Sequence, residues 1–146
     1  MLKSASFKIT RDGLEFFDMA EPTLYDLLGG ADGLRALVDR FYDQMDTAPE
    51  ATHVRALHPA SLEGSREKLF LFLSGWSGGP PLYIERYGHP RLRMRHNPFS
   101  IGILERDEWL WCMQHALDES PMEAGTAAYL KARFAEVADA MRNRPE

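Results

Sequence analysis

The chain of 146 residues is the size of one ordinary domain, large enough to bury a core without disulfide or metal staples. An apolar fraction of 45% with a mean hydropathy of -0.36 describes a globular protein, and no apolar run approaches the roughly 18–20 residues needed to span a bilayer. A net charge of -5 argues against a dedicated nucleic-acid binder, and one cysteine, Cys112, excludes an internal disulfide. The N-terminal run MLKSASFKITRDGLEFF carries charges inside what would have to be an apolar signal core, so the expected location is cytoplasmic.

Residues 1–22 show no sustained period and read as an N-terminal extension of unassigned role, with one extended stretch over Ser6–Thr10. Regular signals begin at Thr23, an N-cap for a short helix through Leu28 that Gly29-Gly30 ends. Asp32 starts a second helix, whose apolar positions Leu34, Leu37, Val38, Phe41, Tyr42 and Met45 recur in steps of three and four. Gly29-Gly30-Ala-Asp-Gly33 lacks the preceding strand that a dinucleotide site requires and marks a helix boundary. Thr47-Ala-Pro-Glu-Ala-Thr breaks the second helix, and a short helical segment covers His53–Leu57.

Pro59–Ser61 opens a third helix with Leu62, Ser65, Leu69, Phe72, Leu73 and Trp76 on one face, which Ser77-Gly-Gly-Pro-Pro stops. Residues 77–100 form a long Gly-, Pro- and Arg-rich connection with little periodicity, and loops of that length inside a domain tend to be functional. A fourth helix runs from about Leu104 to Asp118. Ser120-Pro121-Met122-Glu123 reads as a capping box for the last helix, which carries Ala127, Leu130, Phe134, Val137, Ala138 and Met141 on one face. The expected fold class is all-α, with a domain over residues 23–146.

The five histidines, His53, His58, His89, His96 and His115, include no i, i+4 pair, so a helical zinc site is not expected. Arg86, Arg91, Arg93 and Arg95 form a basic cluster, either a solvated loop or a site for carboxylates or phosphates. In Leu92-Arg-Met-Arg-His96-Asn-Pro-Phe99 an imidazole lies between guanidiniums and an apolar Pro-Phe pair. That combination suits a haem: the iron takes a neutral imidazole, the macrocycle takes apolar packing, and the propionates take Arg or Lys. Tyr42, Leu69 and Trp109 lie on apolar faces of three helices. The Tyr42 and Trp109 polar tips either bond to backbone in an ordinary core or converge on a ligand site.

From Thr23 to about Met141 the chain resembles the second group of truncated haemoglobins. The resemblance rests on Tyr25-Asp-Leu-Leu-Gly-Gly, Arg40-Phe-Tyr42, Gly78-Gly-Pro, Gly88-His-Pro-Arg-Leu-Arg-Met-Arg-His96-Asn-Pro-Phe99 and Arg106-Asp-Glu-Trp109-Leu-Trp-Cys-Met113. It implies a two-over-two helical sandwich around haem b (iron protoporphyrin), with His96 as the proximal iron ligand. It further implies that Tyr42, His58 and Trp109 form a connected network of donors toward a diatomic ligand. Ser65 stands where a vertebrate globin has its distal histidine, with Leu69 one turn further on. Lys68 and Arg95 match basic positions that pair with propionates, Tyr83 is a weaker match, and Phe72, Leu73, Met94 and Phe99 match haem packing.

The function implied is reversible binding of dioxygen, nitric oxide and carbon monoxide for redox chemistry or sensing rather than bulk transport. Two donors at a dioxygen would hold it too tightly for delivery. Turnover as a nitric-oxide dioxygenase or peroxidase would need electrons from a separate reductase, since the chain carries no flavin or nicotinamide motif. A homodimer is an expectation of the resemblance, and neither nucleic acid nor membrane is expected as a partner. The competing reading is a haem-free helical interaction module with a globin shape, which an absorbance spectrum separates from the first.

Overall fold

The computed structural model describes residues 6–9, 15–18, 22–96 and 98–145. Two short strands, β1 (Ser6–Ile9) and β2 (Glu15–Asp18), pair antiparallel with Phe7 opposite Phe17. The extended stretch expected at Ser6–Thr10 is thus β1, with Thr10 outside the described residues, and β2 was not foreseen. Everything regular after them is helical: α1 (Leu24–Leu27), α2 (Gly30–Thr47), α3 (Thr52–Ala56), α4 (Glu63–Trp76), α5 (Leu82–Tyr87), α6 (Leu92–His96), α7 (Ile103–Asp118) and α8 (Ala124–Met141). A single 3-10 turn, Pro49–Ala51, leads into α3. No described helix is long and apolar enough to cross a membrane.

Thr23 caps α1 as its sequence predicts. Its hydroxyl accepts from Asp26 N–H at 3.1 Å while the Asp26 carboxylate accepts from Thr23 N–H at 3.1 Å, a reciprocal capping box. Gly29 then turns the chain at φ 98, a left-handed conformation that glycine adopts without Cβ strain, and α2 begins one residue later, two before the expected Asp32. All six predicted apolar positions of α2 are buried. The start of the domain docks on the end of α4, where Tyr25 N–H donates to Ser77 O at 2.8 Å. A Cβ at Gly79 would run into the Tyr25 ring, so the two glycine motifs meet in space.

The helices form two stacked pairs: α2 packs on α4 and α7, and α7 packs on α8. Aromatic side chains join the pairs at their centre. The Tyr42 ring meets Phe41 edge-on at 4.8 Å, Phe41 meets Trp109 at 5.0 Å, and Phe134 lies 6.2 Å from Trp109 and stacks on Trp76 at 4.8 Å. Phe41 and Phe134 are wholly buried, so this chain of rings is the core that fixes Tyr42 and Trp109 in place.

Three expectations need correction. Residues 77–100 are not one irregular connection, since α5 and α6 lie within them, α5 folded against α4 and α6 against α8. The third helix begins at Glu63 rather than near Pro59–Ser61, and its buried face includes Phe70, Leu71 and Ser74, with Ser65 only half-buried. The last helix does not start with a Ser120 capping box: α8 begins at Ala124 with Glu123 at its N-cap position. The Ser120 hydroxyl donates instead to Ala116 O at 2.7 Å, closing the end of α7, and accepts from Arg40 at 3.2 Å.

Candidate functional site

A cavity of about 520 Å³ lies among α2, α4, α7 and α8, with α5 and α6 on its flank. That is within the range of small-molecule and cofactor sites, about 300–1,000 Å³. Tyr42 reaches it from α2 and Trp109 from α7. Ser65, Lys68, Leu69, Phe72 and Leu73 come from α4, and Tyr83 from α5. Arg95 and His96 enter from α6, Phe99 follows them, and His58 closes the turn after α3. Met94, matched to haem packing, does not line the cavity and is 54% exposed. It lies two residues before His96, about 200° around a helix, so the turn that brings His96 in sends Met94 out.

Tyr42 is only 5% exposed, yet its hydroxyl makes no hydrogen bond to any described residue. Burial raises its pKa well above the usual phenol value, against a small opposing pull from Arg66, whose guanidinium lies 5.8 Å from the ring. The phenol is therefore a neutral donor at physiological pH. The Trp109 indole N–H likewise has no protein acceptor among the described residues. Two donors that face one cavity without a partner among the described residues are available to whatever occupies it.

His58 behaves differently from the expected donor. Its Nδ1 lies 2.9 Å from Val54 O, and a carbonyl oxygen only accepts, so Nδ1 carries the proton and Nε2 is left with a lone pair. Burial lowers the His58 pKa and outweighs the opposing hydrogen bond to Val54, with Arg55 and His96 adding to the lowering, so the neutral ring is favoured. The ring stands edge-on to Tyr42 at 5.9 Å between centroids. In the neutral ring His58 thus offers the cavity an acceptor rather than the expected donor, whereas the Tyr42 hydroxyl and the Trp109 indole N–H are groups able to donate.

A residue that sequence reading missed fixes His58. Glu108, buried on α7, accepts from the N–H groups of His53 at 2.8 Å and Val54 at 2.9 Å and pairs with His53 Nδ1 at 2.8 Å. It caps α3 from another helix, and α3 supplies the Val54 carbonyl that holds His58. Nothing in the local sequence signals this, because the partners lie more than fifty residues apart.

The cavity rim is basic. Lys68 and Arg95 are exposed, with Lys68 Nζ 5.9 Å from the Tyr87 ring and the Arg95 guanidinium 5.8 Å from the Tyr83 ring. Of the arginine cluster only Arg95 lines the cavity, whereas Arg86 faces Glu67 at 3.5 Å and Arg91 is exposed; the Arg93 side chain and Asn97 lie outside the described residues. A largely apolar slot lined by the His58 and His96 imidazoles, with the Tyr42 and Trp109 donors inside and cations at its mouth, fits a planar apolar macrocycle with anionic substituents. The porphyrin supplies four nitrogen ligands of its own, so one histidine suffices.

The family described as bacterial-like globin matches residues 23–143. This chain belongs to that family. It is 38% identical over 117 residues to a group 2 truncated haemoglobin of Bacillus subtilis, covering 80% of this chain and 86% of that protein. Among solved structures, the group II 2-on-2 haemoglobin of Agrobacterium tumefaciens is 48% identical with a TM-score of 0.80, covering 84% of this chain and 95% of its own. The cold-adapted truncated haemoglobin of Pseudoalteromonas haloplanktis TAC125 is 41% identical with a TM-score of 0.82, covering 84% and 99% respectively. The fold is the two-over-two truncated globin, and as a globin the chain is a haem-binding, oxygen-binding protein.

Proposed function

We propose that residues 23–146 form a haem b domain in which His96 ligates the iron and Tyr42 and Trp109 govern a diatomic ligand, preceded by a separate extension, residues 1–22. The observation that carries this reading is the pair of orphan donors, Tyr42 Oη and Trp109 Nε1, in the cavity that also holds His96. When bound, the haem supplies the iron at which dioxygen, nitric oxide or carbon monoxide coordinates. Leu69, Phe72, Leu73 and Phe99 supply apolar packing for the macrocycle, and Lys68 and Arg95 pair with its propionates, with Tyr83 beside Arg95. Tyr42 and Trp109 donate to the ligand, while the His58 Nε2 lone pair accepts and so orients neighbouring donors.

Two donors in a largely apolar pocket favour retention over delivery. Each charge-assisted hydrogen bond contributes about 1.5–3 kcal/mol, enough for about one to two decades in release rate. Ligand chemistry or sensing in the cytoplasm therefore suits the site better than bulk transport, with nitric-oxide dioxygenase or peroxidase turnover drawing electrons from a separate reductase.

The test is an absorbance spectrum of haem-loaded wild type and His96→Ala, in ferric and dithionite-reduced forms, with carbon monoxide added. The expected result is a strong Soret band that sharpens with carbon monoxide and collapses in the variant. Unchanged haem uptake and spectra in His96→Ala would refute the ligand assignment. No uptake by wild type would leave the haem-free helical module.

A further inference from the structure

The described residues between α6 and α7, 98–102, form no helix, so their backbone polar groups must find partners elsewhere. The chain just past α8 supplies them. Asn143 Oδ1 accepts from Ile101 N–H at 2.9 Å, and the Asn143 and Arg144 N–H groups both donate to Ile101 O, at 2.8 and 3.0 Å. Asn143 Nδ2 donates to Phe99 O at 2.7 Å and to His96 O at 3.1 Å, while Arg144 Nη1 reaches Ser100 Oγ at 2.6 Å. One amide side chain thus joins the carbonyl end of α6 to Ile101, the buried residue that leads into α7. Asn143 itself is exposed and does not line the cavity, so neither core packing nor ligand contact accounts for it.

We propose that Asn143 is a positioning residue for His96, holding the C-terminal end of α6 so that the imidazole keeps its place at the cavity. The proposal rests on the reading of His96 as the iron ligand. An α-helix of five residues makes too few internal hydrogen bonds to hold its own shape, so α6 depends on outside anchors. Its first turn is tied by Arg95 Nε to Pro90 O at 2.7 Å and by Arg95 N–H to Arg91 O at 3.0 Å. At its other end the His96 carbonyl receives Phe99 N–H at 3.0 Å and Asn143 Nδ2, and the Phe99 carbonyl is held by the same amide. Releasing Asn143 takes the amide from the Phe99 carbonyl and leaves the His96 carbonyl with Phe99 N–H alone. The chemistry requires an amide: aspartate keeps the acceptor for Ile101 but loses the donor toward His96 and Phe99.

The experiment uses the full haem-loaded chain, with Asn143→Ala, the near-isosteric Asn143→Asp, and His96→Ala. Two readouts are taken: the iron–histidine stretching band of the reduced, ligand-free form by resonance Raman, and the rate of haem transfer to excess apomyoglobin. Both Asn143 variants are expected to shift or broaden the band and to speed haem transfer about tenfold, as the loss of one restraining hydrogen-bond pair implies. A wild-type band and transfer rate in both variants overturns the proposal, even if thermal stability falls, because a plain structural staple moves the melting point alone. A wild-type band in His96→Ala also overturns it, by removing the ligand assignment. The two failures are told apart by which substitution leaves the band unmoved.

Discussion

Tyr42→Phe separates a functional hydroxyl from a structural one, because that hydroxyl has no partner among the described residues. The substitution keeps the ring, its edge-on contact with Phe41 at 4.8 Å and its position 5.8 Å from the Arg66 guanidinium. It removes only an oxygen on a cavity-lining residue that makes no hydrogen bond to any described residue. A hydroxyl with no protein hydrogen bond gives folding none to lose, so its removal leaves the ligand-free protein about as stable as before, within about two degrees in Tm. Against a bound ligand the same oxygen is a donor, and its loss forfeits about 1.5–3 kcal/mol, or about ten- to hundredfold in dioxygen release. Release from the reduced protein, followed by stopped-flow replacement with carbon monoxide, reads the second number, and thermal unfolding of the ligand-free form reads the first. Trp109→Phe is expected to speed release in the same way. Faster release without lost stability sustains the reasoning. A Tm that drops by several degrees with an unchanged release rate refutes it, since that pattern means the phenol bonds to the protein.

Protonation of His58 gives a pH signature. Its folded pKa lies below the ordinary value of 6.5, so between the two the unfolded chain binds more protons, and the stability due to the neutral ring is lost as pH falls below about 6.5. Wild type is therefore expected to lose more Tm than His58→Gln between about pH 7.5 and about pH 5; equal losses would show that burial of the ring carries no such linkage. Glu108→Ala strips the buried cap from α3 and orphans the N–H groups of His53 and Val54, with an expected cost of about 2–4 kcal/mol by denaturant unfolding. A cost below about 0.5 kcal/mol would mean that water replaces the carboxylate fully. Gly79→Ala drives a methyl group into the Tyr25 ring and is expected to destabilise by about 1–3 kcal/mol, whereas Gly64→Ala, open on all sides within α4, is neutral or stabilising. The same unfolding curves decide between these outcomes.

The long, well-patterned helices were legible because their burial repeats over several turns. The six apolar positions of α2 are all buried, and Thr23 makes the cap its sequence announces. α5 and α6 were hidden for the opposite reason. Helices of five and six residues are too short to display a period, and the surrounding glycines and prolines read as loop. Ser120 misled because a Ser-x-x-Glu spacing serves a helix end as readily as a start, depending on which backbone groups lie free nearby, and here it bonds to Ala116 O. His96, Tyr42 and Trp109 could be named from motif alone and do share one cavity. The direction of the His58 hydrogen bond could not be named, because it depends on the Val54 carbonyl and, behind it, on a Glu108 cap from a distant helix.

The two sides of the cavity are therefore held by different physics. Tyr42 and Trp109 belong to the chain of buried rings through Phe41 and Phe134, so their geometry loosens only when the core itself opens. His96 sits on a single helical turn whose anchors are backbone hydrogen bonds at the surface, among them those from Asn143. Regions held by exposed hydrogen bonds open at lower free energy than a packed core. Amide exchange over residues 92–101 should consequently run ahead of exchange in α2 and α7, and weakening the tail should widen that gap without touching the donors. The two sides then answer to different perturbations, the Tyr42 and Trp109 side to changes in the buried rings and the His96 side to changes in the tail.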